Sequence, residues 1–370
     1  MKKVITAAGL LSVAYALPAA AQSSVTIYGI LDEAAQYSNV TNRGSVTQML
    51  PIGNVPSRLG FLGSEDLGNG LSAVFRLEQG LALNSGNSVP QNRLFGRAAY
   101  VGLNSKTMGE LRLGRDYALM QLELGKYDLD HLSSYSPALA AQQSNLDQTS
   151  QDNMIKYLTP TWNGFSAQAT VSLRDRTGVA PGPGPQIIGA GSLHNAYGVM
   201  LAYDGESFEG GITFQTRGQN LNAGGEANQK LIAAAGIYKF SKVNVGAMFW
   251  QQRNDLSNGR TPVTNIWSVG TVWKVTPAFE LVGQVGLGID NGMTYATGAT
   301  KAKGRNTWIN LGANYSFSKR TTAYMRVGRV TDSDGGFNGR PNLAAPSMQT
   351  TPLPANGSAR AVLVGLRQRF

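Results

Sequence analysis

From Ser24 onward the chain alternates apolar and polar residues over long stretches. Within Ser24 to Tyr37, Val25, Ile27, Gly29 and Leu31 fall on one face, and Thr26, Tyr28, Asp32 and Gln36 on the other. That period of two predicts a strand with one apolar face. A second strand over 58–64 runs into Glu65-Asp66-Leu67-Gly68-Asn69-Gly70, a polar turn whose glycines and asparagine tolerate positive φ. A third strand leaves it at once, with Leu71, Ala73, Phe75 and Leu77 on one face and Ser72, Arg76 and Glu78 on the other. The rhythm persists to the C-terminus, where Val362, Val364, Leu366 and Phe370 oppose Arg367 and Arg369.

The connections between these strands are of two kinds. Short turns fall near 65–70, 105–109, 160–163, 204–207, 241–242, 276–278 and 318–320. Longer polar connections fall near 38–56, 81–92, 117–150, 175–194, 218–228, 253–262, 290–304 and 332–358. Seven turns and eight loops join sixteen strands. An even strand number with short turns at one end and long loops at the other is the pattern of an all-β, antiparallel transmembrane barrel of the bacterial outer membrane, and a soluble sandwich has no need of it. Pro181-Gly182-Pro183-Gly184-Pro185 cannot join a ladder and predicts an exposed loop. Aromatic pairs at turn ends, Trp162 with Phe165, Tyr238 with Phe240 and Tyr315 with Phe317, read as girdle residues at the lipid interface.

The first residues bear on location. Lys2 and Lys3, an apolar run from Ala7 to Leu17 and the small residues Ala19, Ala20 and Ala21 predict a cleaved signal peptide over 1–21, leaving 22–370 as the barrel domain. A membrane anchor needs about 20 consecutive apolar residues, and Ser12, Pro18 and Gln22 interrupt this run. Cysteine is absent and glycine contributes 45 of 370 residues. The hydrogen-bonded closure of a barrel makes disulfide staples unnecessary in an oxidising compartment. His131 and His194 are the two histidines, and neither has a second ligand at metal spacing or a nucleophile motif beside it, so no metal, cofactor or catalytic residue is expected. The formal charge is +10, or +8 without Lys2 and Lys3. Its basic residues are scattered singly, which argues against nucleic acid and for small anions passing through a pore.

Several segments carry a family likeness. They are Ser24-Val25-Thr26-Ile27-Tyr28-Gly29; Ser57-Arg58-Leu59-Gly60-Phe61 with Gly63-Ser64-Glu65-Asp66-Leu67-Gly68; Phe75-Arg76-Leu77-Glu78; Gly96-Arg97-Ala98-Ala99-Tyr100-Val101-Gly102-Leu103; Gly109-Glu110-Leu111-Arg112-Leu113-Gly114-Arg115; and Gly365-Leu366-Arg367 with Phe370. In order and spacing the chain resembles the Gram-negative general porins, specifically their trimeric neisserial-type branch. The resemblance implies a homotrimer of sixteen-stranded barrels, a third long loop folded into the lumen, and a terminal phenylalanine presented to the outer-membrane barrel-assembly machinery.

The third loop here is 117–150. With Arg58, Arg76 and Arg112 on the lumen wall by alternation, and Glu123, Asp128 and Asp130 on that loop, the expected constriction sets arginines against carboxylates across the pore. Any of these charges can also be simply solvated in a wet lumen. Two departures from the family pattern stand out. Alternation aims Glu33 at lipid or a subunit contact, where a charge is costly, and Gln148-Thr149-Ser150-Gln151-Asp152 lacks an arginine that the family often places there. The function expected is passive diffusion of small hydrophilic solutes, with modest anion preference. A solute-specific channel, for which Tyr117, Tyr127 and Tyr135 would supply aromatic steps, is the closest alternative; an outer-membrane enzyme or an adhesin comes after it.

Overall fold

The computed structural model describes residues 24–90, 93–139, 150–173, 195–221, 225–256, 259, 261–291, 304–333, 353 and 356–370. The predicted leader, the Pro-Gly run of 181–185 and His194 lie outside them. The strands are β1 (Ser24–Val40), β2 (Gly44–Leu50), β3 (Arg58–Gly68), β4 (Leu71–Ala82), β5 (Asn87–Val89), β6 (Ala98–Ser105) and β7 (Gly109–Tyr117). After helix α1 (Leu119–Tyr127) come β8 (Ser150–Leu158), β9 (Phe165–Ser172), β10 (Ala196–Asp204), β11 (Phe208–Leu221), β12 (Gly225–Lys239) and β13 (Val243–Leu256). The chain ends with β14 (Val263–Lys274), β15 (Phe279–Asp290), β16 (Gly304–Ser316), β17 (Thr321–Ser333) and β18 (Ser358–Arg369).

All pairings are antiparallel and follow chain order round the wall, β1 pairing with β3 past β2 and β4 with β6 past β5, and β18 returns to pair with β1 from Ile30↔Arg369 to Val40↔Ala359, so the sheet closes. Closure leaves no strand edge to meet lipid, where an unpaired backbone group costs several kcal/mol. Short strands β2 and β5 belong to outward connections: β2 folds back on the upper half of β1, while the lower half, Ser24 to Ile30, pairs with β3. Sixteen strands form the wall. The predicted long connection at 218–228 is mostly ladder instead, because β11 and β12 stay in register up to Leu221↔Gly225. Backbone groups make the ladder, so polar side chains beyond the membrane do not end it.

Outward positions hold Val25, Ile27, Val199, Leu201, Val327 and Val364, all exposed, and the predicted girdle aromatics stand exposed at the short-turn end, with ring centroids 4.7 Å apart for Tyr238 and Phe240. The inner face is less uniform than alternation implies. Leu231, Trp250 and Ile266 point inward and are fully buried, because the third loop covers them. Among the described residues no helix is long and apolar enough to cross a membrane; strands do the crossing.

The seam places Phe370 against Gly29. Their backbones exchange hydrogen bonds at 3.0 and 3.1 Å, and a Cβ on Gly29 would lie 2.3 Å from Cζ of the ring. We expect Gly29→Val to force the ring off the seam and destabilise the barrel by about 1–3 kcal/mol, the usual scale of overpacking. The heat needed to unfold the refolded protein on a detergent gel reads this out. Adding Phe370→Ala should recover most of the loss, and a double variant no better than Gly29→Val would sink this account.

Candidate pore constriction

Strands β3, β4 and β18, the bend before β6 and helix α1 bring five basic side chains to one side of the lumen. Arg58, Arg76, Arg97, Lys126 and Arg369 line a cavity of about 420 Å³, together with His131, Tyr117, Gln121 and Leu122, and among the described residues no carboxylate is part of its lining.

The arginines are held by what lies behind them. Glu78, fully buried, accepts from Arg97 Nε at 2.8 Å, from Tyr28 Oη at 2.5 Å, and from Arg76 and Tyr117 at shorter range. Arg76 Nε also donates to Tyr28 Oη at 2.7 Å, and Arg97 Nε to Tyr117 Oη at 2.9 Å. Both guanidinium groups stack on Tyr117, at 5.6 and 5.4 Å from its centroid. A buried carboxylate is tolerable only when its lone pairs are satisfied, and here four donors meet it. The consequence is two arginines fixed in orientation and only one charge neutralised. Arg58, beside Arg97 and Tyr117, has no ion pair among the described residues, nor has Arg369. Lys126 is bound to Asp204 at 2.5 Å. The uncompensated charge therefore comes from Arg58, Arg369 and the surplus of the Arg76–Arg97–Glu78 group.

The loop after β7 turns inward and is fastened along the wall. Leu119 and Met120 bury against it, and Tyr127 Oη donates to the Gly210 carbonyl at 2.8 Å. Asp128 accepts from Gln284 Nε2 and from the Leu132 N–H, both at 2.5 Å, closing a turn in which His131 and Leu132 take positive φ. Burial pushes the Asp128 carboxyl up from its ordinary value, and Asp130 beside it adds to the shift. Asp130 accepts from Arg326 at 2.6, 2.9 and 3.0 Å and from Asn310 at 2.7 Å; Asp130 and Arg326 are each 1% exposed. Tyr135 Oη reaches Gln36 of β1 at 3.0 Å. A loop pinned from β11 round to β1 narrows the lumen against the arginine side.

A model of the Gram-negative porin family matches residues 6–335. The chain belongs to that family. Outer membrane porin protein 32 of Delftia acidovorans is 30% identical to this porin over 379 residues, spanning 100% of each chain. Major outer membrane protein P.IB of Neisseria lactamica is 27% identical, covering 86% of this chain and 92% of its own. Among solved structures, an anion-selective porin from Comamonas acidovorans superposes with a TM-score of 0.78 at 24% identity, covering 94% of this porin and 100% of that chain. The porin is an outer-membrane channel for passive diffusion of small hydrophilic solutes, not an enzyme.

Of the six charges expected at the constriction of this porin, Arg58 and Arg76 line the cavity. Arg112 lies outside that lining, held between Glu110 at 2.7 Å and Asp116 at 3.0 Å and stacked on Tyr100. Asp128 and Asp130 turn to the wall instead of facing the arginines, because Gln284 and Arg326 offer them buried partners that open water does not. Glu123 is on α1, but its side chain lies outside the described residues. The pore therefore lacks the expected opposition of arginines and these two loop acids. Tyr117, Tyr127 and Tyr135 are all buried against wall or loop, and an aromatic ladder along the path does not form from them. Glu33 keeps to the outer face, part-buried, with the backbone of Asn84 as its polar neighbour.

Arg97, Lys126 and Arg369 are the residues that sequence reasoning missed. Phe95 at φ 53° bends the chain just ahead of Arg97, so strand alternation cannot be extended back to it. Arg369 could have been found, since it shares the wet face of β18 with Arg367.

Proposed function

We propose that this porin passes small hydrophilic solutes with a preference for anions, set at the constriction by Arg58, Arg369 and the charge that Arg76 and Arg97 hold beyond Glu78, with Lys126 neutralised by Asp204. The observation that carries the reading is a lining in which the described residues contribute five basic side chains and no carboxylate. Fixed charge at the narrowest point selects permeant ions, and Glu78 cancels only one of the two guanidinium groups it holds. The name of the Comamonas relative, an anion-selective porin, is consistent with this. Within the same reading the working unit is a homotrimer. Glu33 supports it, since a carboxylate on the outer face is far less costly against a neighbouring subunit than against lipid. Residues 1–21 act as the export signal, and Phe370, paired with Gly29 at the seam, is the residue offered to the assembly machinery.

The test is the reversal potential of the refolded full-length protein in a planar bilayer under a tenfold potassium chloride gradient. We expect the sign of chloride preference, at steps that come in threes. A potassium preference would overturn the assignment of the constriction.

A further inference from the structure

A second feature lies outside the barrel, on the lipid-facing side of β16, β17, β18 and β1, and owes nothing to the charge of the constriction. A groove of about 620 Å³ runs there over Tyr37, Leu311, Val327 and Val362 and ends at Arg329 and Arg360. The two arginines are direct partners in the β17–β18 ladder. Each sits one outward-facing position beyond the apolar run of its strand, Met325 and Val327 on β17 and Leu366, Val364 and Val362 on β18. Both are exposed, and neither has an ion pair or hydrogen-bond partner among the described residues.

That arrangement is unfavourable as it stands. Like charges directly opposite on an antiparallel pair repel, and an arginine on the lipid face costs least near the interface, on the order of 0–1 kcal/mol, and most at the midplane. β17 leaves its short turn at Thr321 and ends at Ser333, and β18 begins at Ser358, so Arg329 and Arg360 lie toward the long-loop end of both strands. They stand at the outward border of the apolar band, where lipid phosphates reside. A phosphate between two guanidinium groups removes the repulsion and accepts paired hydrogen bonds from each fork. Below it, the groove floor offers apolar surface along which one acyl chain can lie.

We propose that this face binds a phosphorylated lipid of the outward leaflet, with its phosphate held by Arg329 and Arg360 and an acyl chain seated over Leu311, Val327 and Val362. A second copy of the chain is the weaker occupant, because two unpaired guanidinium groups facing each other call for one anion with several accepting oxygens, which a phosphate supplies at once.

Native mass spectrometry of the full-length porin in detergent, titrated with diphosphoryl lipid A, tests this. The expected result is retained lipid that Arg329→Gln/Arg360→Gln weakens by about tenfold or more, the scale of losing charge-assisted contacts, with no retention of inorganic phosphate or of an uncharged diacylglycerol. Val327→Trp, which keeps both charges and fills the floor, should also weaken retention. Single-channel steps of both variants should match the unmodified porin, which shows that they fold. Equal retention by the arginine variant, equal retention of diacylglycerol, or a shift of that variant to smaller oligomers with lipid retention unchanged would each overturn the proposal.

Discussion

Replacing Asp130 by Ala should enlarge the channel. The carboxylate and the Arg326 guanidinium it meets are both almost wholly enclosed, and removing one partner of such a pair leaves the other charge buried without compensation, at about 3–5 kcal/mol. Carbonyls of Ala313 and Met325 still accept from Arg326, at 3.2 and 2.9 Å, which keeps the guanidinium in place and puts the loss on the loop. Asp130 is also where Asn310 and Ser133 converge, so the segment 128–136 loses its main tie to β16 and β17. We expect larger and noisier single-channel steps and faster entry of sugars too bulky for the unmodified pore, read by swelling of liposomes carrying the porin. A double variant, Asp130→Leu with Arg326→Met, replaces the ion pair by apolar contact of similar volume and should restore steady, narrow steps, since such exchanges are often neutral or stabilising. If Asp130→Ala conducts like the unmodified porin, the loop is held by its apolar face and the ion pair contributes little.

The wall was legible because a strand crossing a bilayer must show lipid every second side chain, and because short polar turns break that alternation, with Gly, Asn and Asp at 65–70 but Ser-Lys at 241–242 and Thr-Pro-Ala at 276–278. Those two features alone marked all seven short turns and the lumen positions of Arg58 and Arg76. The third loop was harder, since Asp128 and Asp130 look the same in sequence whether they face water or a buried arginine. Only contacts distant along the chain, such as Asp130 with Arg326, distinguish the two. One signal went unused. Strand β13 carries Ala247 and Phe249 outward but also Met248 and Trp250 inward. Apolar residues on both faces of a barrel strand mean that something covers the inner one, and Leu231 and Ile266 on its neighbours repeat the message. That patch marks where the loop docks. Arg97 escaped for a different reason, because strand periodicity ends where Phe95 takes positive φ.

The sharpest test of the charge assignment is Arg58→Glu with Arg369→Glu. These are the two lining bases without an ion pair among the described residues, so their reversal leaves no carboxylate stranded, whereas changing Arg76 or Arg97 would strand part of the Glu78 charge. A carboxylate at position 58 would have Arg97 as a neighbour, which makes the substitution tolerable. Unit charges 4 Å apart in water interact by about 1 kcal/mol, and reversal doubles the change. Two reversals near the path of an ion therefore shift the balance between chloride and potassium by roughly tenfold or more at low salt. We expect the reversal potential to move from the anion side to zero or beyond it. The shift should shrink at about 1 M salt, where the screening length falls to about 3 Å. Arg112→Gln supplies the contrast: its charge is already shared by Glu110 and Asp116 and lies outside the lining, so selectivity should hardly move. A double reversal that leaves ion preference unchanged, or an Arg112→Gln effect as large, would place the selecting charges elsewhere in the lumen.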